Sequence, residues 1–106
     1  MTTLQDSSIN VYAALELPNA DEMLIKAQLV SKIRQIIKDR GWTQQHAANV
    51  IGLTQPKLSK MLSGQFRGIS EAKVLDCLVK LGRDVQIVIG PDKTAGSIGR
   101  IDVVFS

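Results

Sequence analysis

The chain has one cysteine, Cys77, and one histidine, His46, among 106 residues. A lone cysteine closes no internal disulfide. Cys77 also falls among Val74, Leu75, Leu78 and Leu81 in a helical apolar pattern, so it reads as core filler rather than a reactive thiol. His46 has no second His or Cys at ligand spacing, and no Ser or Cys has a base and an orienting acid arranged around it, which argues against structural zinc and nucleophilic catalysis. No basic stretch leads into an apolar run at the N-terminus, and no apolar run is long enough to cross a bilayer. The expectation is a cytoplasmic protein with no membrane partner, no metal, no cofactor and no enzymatic activity. The glycine-containing run at 90–100, GPDKTAGSIGR, lacks the Gly-Lys-Ser/Thr ending of a phosphate loop and has no helical pattern after it, so it reads as a turn between strands.

What is present is unevenly charged. At 44% hydrophobic and 22% charged, the chain suffices for one modest core and is too short for two ordinary domains. The net charge of +3 hides a basic middle: Lys32, Arg34, Lys38, Arg40, Lys57, Lys60 and Arg67 stand against Asp39 alone. Residues 1–31 lean the other way, with Asp6, Glu16, Asp21 and Glu22 against Lys26. A basic middle suits a phosphate-contacting face, and a solvated charged surface is the other reading.

Periodicity divides the chain. Pro18 and Asn19 announce a helix, with Asn19 as N-cap, Glu22 three residues on as in a capping box, and Asp21 at the positive end of the dipole. Met23, Ala27, Val30, Ile33 and Ile37 then repeat every three or four residues until Gly41 stops the helix. Thr43 caps a second helix over 44–51, with Trp42 before it as a core anchor against Ala47. Gly52 ends that helix, Leu53 supplies an apolar plug, and Thr54 caps a third in which Leu58, Met61 and Leu62 point inward. The outer positions of the third helix are Gln55, Pro56, Lys57, Ser59 and Lys60. Two short helices joined by a tight turn cross closely, which asks for a small residue at Ala48 and a permissive one at Gly52. Ser70 caps a fourth helix through Val74, Leu75, Leu78 and Leu81, with Ile69 as a staple on Val74 and Gly82 as its close. Beyond it the period becomes two. Val85, Ile87 and Ile89, then Ile101, Val103 and Phe105, alternate and are rich in β-branched residues, which predicts a two-stranded hairpin. A lone ribbon is marginal in water, so the strands should pack on the helices or pair with a second copy.

The stretch Thr43-Gln44, Ala48, Gly52, Leu53-Thr54-Gln55, Leu58, Met61 and SGQF resembles the helix-turn-helix of the Xre/Cro-like repressors. Over roughly residues 8–90, SINVYAALELPNADEMLIKAQL, DRGWTQQHAANVIGLTQPKLSKMLSG and LGRDVQIVIG resemble the HigA-type antitoxin branch. The resemblance implies a mainly α, lambda-repressor-like bundle with a C-terminal two-stranded β element: an N-terminal arm at 1–18, the DNA-binding domain at 19–82 and a dimerising strand pair at 83–106. It implies base contacts from Gln55 and Lys57 at the start of the third helix and a phosphate contact from Gln44. Thr54 caps the reading helix, and Ser59, Lys60 and Arg67 reach phosphates or further bases. Pro56 departs from the polar residue common in relatives; it pre-forms the first turn and can touch a thymine methyl. A solvated helix surface is the other reading for Gln55 and Lys57.

The partners implied are double-stranded DNA with a palindromic operator, a second copy of the chain, and a small basic RNase-like toxin. For the toxin, the acidic N-terminal region offers Ile9, Val11, Tyr12, Leu15 and Leu17, unless that region is a strap on its own domain. A stand-alone or phage-type regulator with no toxin partner is the alternative.

Overall fold

The computed structural model describes residues 20–94 and 96–106, and the sequence pattern explains why their helices begin and end where they do. The N-cap at Asn19 and the apolar residues of the N-terminal arm, Ile9, Val11, Tyr12, Leu15 and Leu17, lie outside the described residues. Helix α1 (Ala20–Asp39) buries Met23, Ile25, Leu29, Val30, Ile33, Ile36 and Ile37 along one stripe. It closes with the Gly41 N–H on the Lys38 carbonyl at 3.0 Å and the Trp42 N–H on the Ile37 carbonyl at 3.1 Å. The overlapping bonds satisfy carbonyls that a helix end otherwise leaves orphaned.

Three short helices follow, each started by a hydroxyl. Thr43 accepts from the His46 N–H at 3.1 Å to open α2 (Gln44–Ile51). Thr54 accepts from the Lys57 N–H at 3.3 Å to open α3 (Gln55–Leu62), and Ser70 accepts from the Lys73 N–H at 3.1 Å to open α4 (Glu71–Lys80). Helices of eight to ten residues are not stable alone. Their persistence therefore rests on burial: Ala47, Ala48 and Ile51 from α2, Leu58, Met61 and Leu62 from α3, and Val74, Cys77 and Leu78 from α4 join the α1 stripe, with Phe66 and Leu81, in one core. Burial pushes the Cys77 thiol above its ordinary pKa, which keeps it protonated and inert.

Gly52 joins α2 to α3 at φ +85°, in the left-handed region. A Cβ there would meet only the Lys80 Nζ, at an ordinary 3.7 Å. The glycine is thus required by the backbone turn and not by crowding, whereas the close crossing is served by Ala47 and Ala48, both fully buried. Gly52→Ala is expected to lower the unfolding free energy by about 1–2 kcal/mol, the cost of a left-handed non-glycine residue. Urea denaturation with an unchanged m-value checks it.

The expected C-terminal hairpin is absent: among the described residues there is no β-strand. From Asp84 to Ser106 the only backbone–backbone hydrogen bond among the described residues is the turn from the Ser97 N–H to the Thr94 carbonyl, at 3.0 Å. The six residues assigned to strands divide between two fates. Val103 and Phe105 pack partly against the helical core, with the Lys32 ammonium 5.3 Å from the Phe105 ring centroid. Val85, Ile87, Ile89 and Ile101 remain exposed, Ile89 at 88%. The physical reason lies in the neighbours. Val88 and Val104 interrupt the alternation and are exposed too, so each polar face, Asp84 with Gln86 and Asp102 with Ser106, carries an exposed valine. Alternating β-branched residues report compatibility with a pleated surface, not the presence of something to pleat against.

Candidate nucleic-acid interface

The eight residues assigned to DNA contact lie on α2, α3 and the turn after α3, and the fold brings them to the surface. Gln44 opens α2; Gln55 and Pro56 occupy the first turn of α3 behind Thr54; Lys57, Ser59 and Lys60 follow on its outer side. Gln55 and Ser59 are half-buried, while Gln44, Thr54, Pro56, Lys57, Lys60 and Arg67 are exposed. Pro56 sits within the first turn, where its missing N–H costs no intrahelical bond.

Two amides assigned separate roles turn out to be bonded. The Gln55 Nε2 donates to the Gln44 Oε1 at 2.8 Å, across eleven residues. This bond fixes which way both amides point. With its Nε2 committed to Gln44, Gln55 keeps its second N–H and its carbonyl oxygen, the donor and acceptor that adenine's N7 and N6 amino group require. Gln44 keeps its own NH2 for a phosphate. No local periodicity signals such a pair; it becomes visible once Gly52 folds the two helix N-termini to the same side.

The electrostatics of this face are simple. No acidic residue occurs between Asp39 and Glu71. Among the described residues no ion pair engages Lys57, Lys60 or Arg67. The acids near the helices pair elsewhere: Glu22 with Lys26 at 3.4 Å, and Asp76 with Lys80 at 3.1 Å and Lys73 at 3.6 Å. The hydrogen bond from Lys80 holds the Asp76 carboxyl below its ordinary pKa. Among the described residues, the positive charge of Lys57, Lys60 and Arg67 is therefore not compensated by an ion pair.

The basic middle of the sequence is not one surface, however. Arg34 donates through Nε, at 3.2 Å, and through Nη2 to the Leu62 carbonyl at the end of α3. Arg40 donates through Nη2 to the Leu81 carbonyl at 2.7 Å while its guanidinium lies 4.8 Å from the Trp42 ring centroid. Lys32 covers Phe105. Three of the seven cations are thus internal fastenings, two of them on helix C-termini where a cation is favoured by the dipole. Trp42 is half-buried on the core, with His46 edge-on at 4.5 Å, which agrees with an anchor.

A four-helix unit in which a left-handed glycine joins two short helices, the second of them polar and cationic on its outer side, defines a helix-turn-helix protein. The model of a helix-turn-helix domain family matches residues 11–90. A solved chain described as an XRE-family transcriptional regulator is 30% identical, with a TM-score of 0.77 over 84% of this chain and all of that one. No curated protein matches the chain. The chain belongs to the helix-turn-helix domain family, in its XRE branch. Helix-turn-helix proteins of this kind are DNA-binding regulators, and the chemistry around α3 is arranged for that task.

Proposed function

We propose that this protein is a sequence-specific transcriptional repressor that inserts α3 into the major groove of a palindromic operator. One observation carries the reading: the Gln44–Gln55 bond at 2.8 Å presents an oriented amide on the helix that also carries Lys57 and Lys60, neither of them in an ion pair among the described residues. Gln55 and Lys57 read base edges, Gln44, Ser59, Lys60 and Arg67 hold phosphates, and Pro56 meets a thymine methyl. The action is binding, without catalysis or a cofactor, in the cytoplasm.

The working unit is a homodimer, joined through the C-terminal residues. Val85, Ile87, Val88, Ile89, Ile98, Ile101 and Val104 are the large apolar residues exposed there, against Val50 and Val79 elsewhere among the described residues. Arg83, Lys93 and Arg100 balance Asp84, Asp92 and Asp102, so two copies of this segment do not repel. Self-association removes the apolar side chains from water and sets two α3 helices about one DNA turn, roughly 34 Å, apart. The finer reading is an antitoxin that neutralises a small basic RNase-like toxin and autorepresses the shared operon. Its support is the acidic, apolar N-terminal composition, with Ile9, Val11, Tyr12, Leu15 and Leu17 as toxin contacts.

Promoter binding by Lys60→Ala tests the interface. The variant is expected to bind all DNA sequences more weakly and to lower the slope of log K against log salt by about one, the contribution of one phosphate contact. An unchanged slope removes Lys60 from the interface. For the antitoxin reading, the product of the adjoining open reading frame is expected to co-purify with this chain and to ride with it on the promoter. A promoter shift with no co-purifying partner assigns a stand-alone regulator.

A further inference from the structure

Lys26 lies on the apolar stripe of α1, three residues after Met23 and four before Val30, and is only 3% exposed. A buried ammonium is costly where an aliphatic residue of the same size would pack without penalty. What it gains is specific: its Nζ reaches the Glu22 carboxylate at 3.4 Å and the Arg67 carbonyl at 3.1 Å. Eight residues along the same helix, Arg34 grips the Leu62 carbonyl with two N–H groups. The two cations hold the two ends of one short segment, Leu62 to Arg67, the exit from α3. Between those points Phe66 is buried, the Gly64 N–H bonds the Met61 carbonyl at 3.2 Å, and the Gln65 N–H bonds the Lys60 carbonyl at 2.9 Å. Ser63, Gln65 and Arg67 are exposed, as is Lys60.

We infer that Lys26 and Arg34 are positioning residues for DNA binding, which fix the α3 exit turn from behind so that Lys60, Gln65 and Arg67 meet the phosphates without being ordered at the moment of binding. The inference rests on the repressor reading above and adds three residues to it, Lys26, Arg34 and Gln65. A turn already fixed loses less conformational freedom on association, and roughly a tenfold gain in affinity corresponds to one or two side chains immobilised in advance. The buried ammonium thus does work at a distance that its burial alone does not explain.

Lys26→Met and Arg34→Met remove the ties and keep the aliphatic bulk. Binding to promoter DNA is measured across a salt series, beside thermal melting of each free protein and amide hydrogen exchange of the wild type. The expected result is folded variants that bind about tenfold more weakly with the salt slope lowered by about one, and a loss well short of additive when Lys26→Met is added to Arg67→Ala. A role confined to stability lowers the melting temperature and leaves the slope of the folded protein unchanged, which overturns the inference. Should Lys26→Met not fold, Arg34→Met carries the same comparison. The wild type gives an independent reading: the Gly64 and Gln65 amides are expected to be protected to the level of α3, and exchange at open-loop rates overturns the inference without any variant. Wild-type protein that binds no DNA overturns the repressor reading itself. Wild-type binding matched by both variants overturns this inference alone.

Discussion

Leu58→Ala is expected to lower the unfolding free energy by about 2–5 kcal/mol, the range for truncating a buried leucine to alanine. Leu58 is fully buried and holds an eight-residue helix that has no means of standing alone. On its outer side α3 carries Gln55, Pro56, Lys57, Ser59 and Lys60, none of them fully buried, so Leu58, Met61 and Leu62 supply its buried apolar side. For a domain of this size each kcal/mol moves the melting temperature by about 4–8 °C, so a fall of roughly 8–40 °C is expected. Calorimetry at fixed protein concentration measures it. A shift smaller than about 4 °C would mean that the reading helix is seated by something other than its apolar side. DNA binding should fall in step, because the same three residues set the angle at which α3 is presented.

The second large effect concerns the C-terminal segment. Ile87→Asp combined with Ile89→Asp is expected to leave the melting of the monomer fold nearly unchanged, since both side chains are exposed, at 79% and 88%. It is expected to abolish self-association, because two carboxylates per copy would enter an apolar contact without partners. Operator affinity should then drop by about two to four orders of magnitude, the advantage that a linked second reading head confers. Sedimentation equilibrium and a gel shift on the palindromic site measure the two effects together. A doubly substituted protein that stays dimeric places the interface elsewhere. Truncation after Gly82 is the blunter comparison, as it also strips Val103 and Phe105 from the core.

How far the sequence foretold this molecule depends on the range of the interaction. Thr43, Thr54 and Ser70 were readable as N-caps because the bond each makes spans three residues, and Ala48 with Gly52 because a tight turn constrains size and φ locally. The period of α1 marked Met23, Val30, Ile33 and Ile37 as buried, with Ala27 only partly so, and it left out Ile25, Leu29 and Ile36, which widen the buried side. What failed was a judgement that needed a partner: Val85, Ile87, Ile89, Ile101, Val103 and Phe105 have strand-like chemistry but no neighbouring edge within the described residues. The Gln44–Gln55 bond was out of reach because eleven residues and a turn separate its ends. Arg34 and Arg40 were counted with the basic face, yet they cap the ends of α3 and α4 across 28 and 41 residues. Lys26 did leave a trace, since it occupies a position of the apolar stripe where a cation has to find an internal partner.

The central claim is that α3 reads base edges through the amide that Gln44 holds in place. It is tested most directly by binding wild type and Gln55→Ala to the protein's own promoter, to single-base variants of that site and to unrelated DNA at one stated salt concentration. The account predicts that wild type prefers the promoter, and that Gln55→Ala loses discrimination worth roughly 1–3 kcal/mol at one or two positions while its binding to unrelated DNA barely changes. Equal discrimination by the two proteins at every position, or a wild type that does not distinguish its promoter from unrelated DNA, would contradict it.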